Sequence, residues 1–411
     1  MSELRTSAEV GIIPVGSLGV AFFHHLGGGK SANLDKVGFI ERRGSLHGAA
    51  TRGQGILKIF DDGDLEGIST TKVCHPDLVA SAELGWLPEV LLGCTQPDQL
   101  LTTVSDYVGL LEWLFSVYGM EEATQRLPVL VLCSNGIYHE RVRRFLVELL
   151  EESMLYGRLP DLWNGPMARI VGKLLRGVTL QTGHREGTGP SAIYHPGPSG
   201  RTILTGGSRE SRDHAASLLR GCGAWFETED TLPPVRVEFD KALINLWGNL
   251  FGQLKAINAQ GEFQLLRVCE IFDDPEAVDL RLFSSHIFAI GCAVRAYRQD
   301  EDFAALHAAA LKSASGPGAH IPSSLMWIHS QLRDGTLKAE LTPTERWLLD
   351  PLIRFAKTAG LDDSADFFTK LGQRVEDKLQ AAILKTSMGQ TKRPPDCLHQ
   401  FDRATCSRES C

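Results

Sequence analysis

The stretch Val10–Val15, VGIIPV, is mostly apolar and reads as a strand buried on both faces, the habit of a parallel sheet. A glycine turn follows, and then the apolar run of a helix. Similar short apolar runs recur at Lys36–Ile40 (KVGFI) and at residues 87–94 (LPEVLLGC), the latter closed by Thr95-Gln96-Pro97-Asp98. A helical segment, TVSDYVGLLEWLFSVYG, comes next. Residues 127–136 (LPVLVLCSNG) then give the clearest buried strand, closed by an Asn-Gly turn. Strands alternating with helices predict an α/β domain of Rossmann type with a parallel sheet. Residues 178–206 turn rich in Gly, Thr and Pro, and predict short antiparallel strands extending the sheet edge. From about residue 236 the apolar spacing is helical almost throughout, which predicts an all-α C-terminal domain whose last helix ends near Lys385. The expected division is 1–235, 236–386 and an unpatterned, disordered tail 387–411.

Composition narrows the class. With 411 residues and 43% hydrophobic content the chain can bury two cores. A net charge of −8 argues against nucleic acid as a partner. No apolar run reads as a membrane span and the N-terminus has no signal-peptide core, so a cytoplasmic protein without membrane association is expected. Nine cysteines are scattered without a C-x-x-C pair and read as reduced, mostly buried thiols. Cys397, Cys406 and Cys411 with His399 have irregular spacing, so no metal site is expected.

Two stretches carry candidate chemistry. In Gly16-Ser17-Leu18-Gly19 the glycines match the second and third of G-x-G-x-x-G, with Pro14 where the first would stand. One glycine lets backbone approach a pyrophosphate, and the other lets the helix pack closely on the strand. The plainer alternative is an ordinary strand-to-helix turn. In KALINLWGN, Lys241, Asn245 and Asn249 recur every four residues and share one helical face. That face could hold a polar ligand and supply a proton, or could simply meet water.

These features, taken in order, resemble the ketopantoate reductase (2-dehydropantoate 2-reductase) family. Its marks here are the Gly16–Gly19 turn, Asn135-Gly136, Thr182-Gly183-His184 with His195 eleven residues on, Lys241/Asn245/Asn249, Pro322-Ser323-Ser324 and a later glutamate. The resemblance implies an NADPH-dependent reductase that transfers hydride to a 2-oxo acid and yields a 2-hydroxy acid. It implies Lys241 as proton donor and Asn245 and Asn249 as orienting groups. Ser323 or Ser324 would bind the substrate carboxylate, and Glu340 or Glu345 a substrate hydroxyl. Gly16, Ser17, Leu18, Gly19, Arg42, Thr95 and Asn135 would contact cofactor. Glu41-Arg42-Arg43 ends the second strand with both a ribose-binding carboxylate and phosphate-binding arginines, which favours NADP and leaves NAD open. His184 and His195 read as sheet residues satisfied by backbone. The chain departs from the family at Pro14, at Thr95 or Gln96 where a lysine is usual, and in extra sequence near 44–86, 151–175 and 388–411. A catalytically silent nucleotide-binding relative, acting as sensor or partner subunit, and an opine-type dehydrogenase are the alternatives. A small carbonyl compound is the expected partner, and a homodimer stays open.

Overall fold

A computed structural model describes residues 8–44, 51–53, 55–187, 189–221, 225–273, 278–315 and 321–390. Twelve strands are defined among them. They are β1 (Val10–Ile13), β2 (Val37–Ile40), β3 (Ile56–Asp61), β4 (Asp64–Ser69), β5 (Cys74–His75), β6 (Val90–Gly93), β7 (Val129–Leu132), β8 (Leu174–Thr179), β9 (Gly183–Glu186), β10 (Ile193–Pro196), β11 (Thr202–Thr205) and β12 (Phe226–Thr228). Eight form one sheet in the order β12-β11-β8-β7-β6-β1-β2-β5, parallel except where β11 meets β8. The chain therefore builds outward from β1 to β2 and β5, then returns to β6, β7 and β8 on its other side. This reversal puts a crevice at the carboxyl ends of β1 and β6, where open α/β sheets bind ligands.

The continuous apolar runs follow from burial on both faces. Val10 and Ile12, Val37 and Phe39, Val90 and Leu92, and Val129 and Val131 point into one core with the helix Ser17–His25. Ile13, Ile40, Leu91, Leu130 and Leu132 point into the other, against the helices Leu100–Tyr118 and His139–Leu155. By length and composition the stretch Pro97–Tyr118 could cross a membrane, contrary to the expectation above. In the fold Leu100, Val104, Tyr107, Leu111 and Leu114 lie inside the core, and the Tyr107 hydroxyl donates to the Pro128 carbonyl at 2.7 Å.

Residues 178–206 differ from expectation. Only the end of β8 and β11 belong to the main sheet, paired antiparallel. The pair β9–β10 instead joins β3 and β4 in a separate four-stranded sheet, β4-β3-β10-β9. The inner side of that sheet, Leu57, Ile59 and Tyr194, shares the core with helix Ser17–His25. Its β3–β4 hairpin turns at Asp62 and Gly63, both at positive φ (46° and 92°), the geometry of a two-residue primed turn.

After β12 the chain is helical. Pro234–Leu246 leads into a π turn at Trp247–Phe251, and the helices Val278–Ala293, Ser323–Arg333, Pro343–Thr358 and Asp362–Gln390 surround a core of Phe239, Leu243, Trp247, Phe283 and Phe368. The final helix runs past Lys385 to Gln390. Cys397, His399, Cys406 and Cys411 lie outside the described residues, as does Cys222. Of the thiols described, Cys74 and Cys133 are buried, Cys94 and Cys292 half-buried and Cys269 exposed, all unpaired.

The helix after β1 sits unusually close to the strand. A Cβ on Gly19 would lie 2.5 Å from the Pro14 carbonyl oxygen and 3.1 Å from Ile12. Gly19→Val is expected to destabilise the protein by about 1–3 kcal/mol, the usual cost of overpacking, measured by urea unfolding. Unchanged stability would mean that helix and strand can separate freely.

Candidate functional site

The glycine turn closes β1 at the crevice. Gly16 caps the helix Ser17–His25 in an extended conformation (φ −154°) that any residue adopts, and a Cβ there would meet no protein atom within 4 Å. Neither strain nor packing thus demands glycine at 16. The open space lies at a helix N-terminus, where backbone N–H groups and the helix dipole favour an anion. Ser17 and Leu18 form the first turn, and Gly19 supplies the close packing.

Other predicted positions also sit at strand ends around the crevice. Thr95 follows β6 and is buried, with its Oγ1 lacking any protein partner, while its backbone carbonyl accepts from the Ser134 hydroxyl. Arg42 follows β2 half-buried, and its Nε is likewise buried and unpartnered. Glu41 beside it is buried and held by Arg52, an arginine not singled out from sequence, at 2.8 Å. Burial pushes the Glu41 carboxyl up from its ordinary range, and Arg52 only partly offsets this. Arg43 is exposed. Buried polar atoms nearly always find partners, so Thr95 Oγ1 and Arg42 Nε are candidates for contact with water or a ligand.

Lys241, Asn245 and Asn249 come from the helical half. All three are half-buried, unlike their fully buried neighbours Ala242, Leu243, Leu246 and Leu250. The sequence reading assumed a regular α-helix, but the stripe runs into the π turn at Trp247–Phe251, so Asn249 belongs to a wider turn than Lys241. A π turn takes up more residues per revolution, which reduces the angular drift of a four-residue spacing. Asn245 Nδ2 donates to Asn135 Oδ1 at 3.0 Å, so a predicted residue after β7 meets one from the helical half. Lys241 is hemmed in by protein yet retains some exposure. Desolvation, aided by the positive charge of Arg176, lowers its ammonium to about 8.

Arg176 was missed from sequence. Its signal was the single charge inside the apolar strand LLRGVT. Its Nε donates to Glu238 Oε1 at 2.8 Å, with both side chains 2% exposed. Its Nη1 donates to the Leu132 and Gly177 carbonyls, and its guanidinium lies 4.5 Å from the centre of the Tyr138 ring. Glu238 also accepts from the backbone N–H groups of Tyr138 and His139 at 3.2 and 3.1 Å. One ion pair therefore joins β7, β8, the Asn-Gly turn and the Lys241 helix.

The remaining predicted residues divide. Ser324 Oγ is buried without a partner at the start of the helix Ser323–Arg333, which packs on β9, whereas Ser323 is exposed. Glu345 is 1% exposed and already engaged: it forms a capping box with Thr342 and accepts from the Gln253 amide. Glu340 is exposed and lines a cleft of about 360 Å³ with Asp98, Ile137, Arg141 and Trp347, and Lys241, Asn245 and Asn249 are not part of that lining. His184 and His195 face each other across β9 and β10 with stacked rings 4.3 Å apart. Backbone satisfaction fails for His195, whose Nε2 is buried with no hydrogen-bond partner.

No family model and no curated protein matches the sequence. Solved structures match the fold. A D-mandelate dehydrogenase in ternary complex with NADH and anilino(oxo)acetate is 14% identical, with TM-score 0.59, over 90% of this chain and 99% of its own. A Bacillus subtilis protein assigned as a 2-dehydropantoate 2-reductase is 15% identical, with TM-score 0.54, over 90% and 99%. A dimeric ketopantoate reductase from Staphylococcus aureus is 12% identical, with TM-score 0.52, over 91% and 99%. The chain thus has the fold of these dehydrogenases, a Rossmann-type sheet followed by an all-α unit.

Removing Glu238 leaves a buried, uncompensated guanidinium. Glu238→Ala is expected to cost about 3–5 kcal/mol in chemical denaturation. A loss under about 1 kcal/mol would show that the pair does not hold the two halves together.

Proposed function

We propose that the protein is a nicotinamide-dinucleotide-dependent reductase of 2-oxo acids, with Lys241 as proton donor and NADP as the preferred cofactor. The observation that carries this reading is the set of unsatisfied groups at positions chosen for ligand binding. These are Thr95 Oγ1, Arg42 Nε and Ser324 Oγ, together with the unfilled space over Gly16. The set fits a dinucleotide: an anion site at the helix N-terminus, a hydroxyl at the end of β6 and a guanidinium at the end of β2. The fold neighbours give the same direction, since one carries NADH with an oxo-acid analogue.

When bound, the reduced cofactor supplies hydride to the carbonyl carbon. Everything else falls to the chain. Lys241 stabilises the negative charge developing on the carbonyl oxygen and delivers the proton from Nζ. Its lowered affinity for that proton eases the transfer at neutral pH. Asn245, held by Asn135, would orient the substrate or the nicotinamide amide, and Asn249 lies further along the same stripe. Ser324 offers its hydroxyl to the substrate carboxylate. With Glu345 engaged in the helix cap, substrate hydroxyl recognition falls to another group, Glu340 included only if the cleft it lines joins the crevice.

Three outcomes follow for the purified protein. Gly16→Val should fold with stability near wild type, because a Cβ there meets no protein atom within 4 Å, yet lose dinucleotide binding in a fluorescence titration. Retained affinity would remove the pyrophosphate site.

Lys241→Ala should keep cofactor affinity and slow the reductive step by roughly 100- to 10,000-fold in single-turnover kinetics. Lys241→Arg should not rescue it, since guanidinium does not release its proton near neutrality. In the wild type the reductive rate should fall as pH rises through about 8, where the donor ammonium is lost. A rate that rises across that range would contradict a lysine acid.

Arg42→Ala should weaken NADPH binding far more than NADH binding, through loss of a charge-assisted contact to the 2′-phosphate. Equal losses would show that Arg42 does not set the choice.

A further inference from the structure

The outer face of the small sheet carries a second cluster of chemistry-bearing side chains, turned away from the helix Ser17–His25. His184 on β9 and His195 on β10 are directly opposed in the antiparallel register, and Glu186 lies two residues further along β9 on the same face. The potential ligand atoms of all three lie within 4.8 Å of one another, and His195 Nε2 stands 3.7 Å from Glu186 Oε2. His195 Nε2 is buried without a hydrogen-bond partner, its contact with the Glu186 carboxylate being too long for one. The Phe60 ring, 5.3 Å from that of His195, covers one side.

We propose that His184, Glu186 and His195 bind a single divalent cation of the zinc class. Two imidazoles and one carboxylate are a borderline donor set suited to zinc, and three protein ligands leave a fourth position for water. Glu186 is half exposed, which gives the ion a route from solvent. Ligands about 2.0–2.1 Å from zinc sit roughly 3.4 Å apart in a tetrahedron, so closure needs the atoms to draw together by little more than an ångström. The rings stack nearly parallel, so binding requires them to rotate about their side-chain bonds to aim their nitrogens at one point. No sequence spacing could announce the site, because its residues meet through strand register, across a connection between β9 and β10.

Such an ion would staple β9 to β10. That pair backs the cofactor helix: a Cβ on Gly183 would lie 2.6 Å from the Ser17 carbonyl. The staple would therefore stiffen the wall behind the glycine turn, and its effect on stability needs no substrate to observe.

The test uses the full-length protein stripped with chelator, titrated with Co²⁺ as a spectroscopic probe and with Zn²⁺ in calorimetry and thermal unfolding. The expected result is one equivalent bound, with visible d–d absorption and no thiolate charge-transfer band, and a higher Tm with Zn²⁺. His195→Ala and His184→Ala should each abolish that binding, and Glu186→Gln should weaken it, while all three variants keep the far-UV spectrum of the wild type. A thiolate band would assign the metal to cysteines and overturn the proposal. So would absence of binding, or binding that persists in both histidine variants.

Discussion

A buried ion pair, Arg176–Glu238, is the constraint on which the rest of the structure depends. Glu238 belongs to the same helix as Lys241, and Arg176 belongs to the strand that follows the Asn-Gly turn. Their bond, together with the carbonyls of Leu132 and Gly177 and the N–H groups of Tyr138 and His139, fixes how the helical half meets the sheet. Buried pairs are poor sources of net stability compared with apolar packing, but breaking one is costly. Its use here is positional. Burial is the main reason the Lys241 ammonium gives up its proton more readily, and the same guanidinium that anchors Glu238 adds to it by repulsion.

The site is built from two kinds of surface. The sheet contributes strand ends and a glycine turn, rigid because every strand leading to them is buried on both faces. The helical half contributes a polar stripe on a helix whose other faces are packed in apolar core. The Asn135–Asn245 hydrogen bond joins the turn after β7 to that stripe. Buried polar groups left without partners, as at Thr95, Arg42 and Ser324, are expensive in a folded protein, and a ligand that satisfied them would recover that cost on binding.

Much of this was legible in the sequence where burial is extreme. The runs VLLG and VLVL could only be strands covered on both faces, and the Lys241 stripe stood out against apolar neighbours. Elements governed by weaker or longer-range signals were not legible. The β3–β4 hairpin shows an Asp62-Gly63 turn, but its strands alternate buried Leu57 and Ile59 with exposed Ile56 and Phe60, and it belongs to a sheet completed from residues 183–196. The π turn at Trp247 inserts into a helix without changing its composition. Arg176 was one charge in an apolar strand, and its partner lies 62 residues away. The glutamate was unresolved between two positions because spacing alone cannot see that Glu345 is consumed by its own helix cap.

The central claim is that the crevice does carbonyl chemistry and does not merely hold a nucleotide. The most direct measurement is oxidation of NADPH, followed by absorbance, across a panel of 2-oxo acids of graded size and polarity with the wild-type protein. The account predicts turnover that depends on one or a few of these acids and yields the matching 2-hydroxy acid. Tight NADPH binding with no oxo-acid-dependent oxidation anywhere on the panel would contradict it.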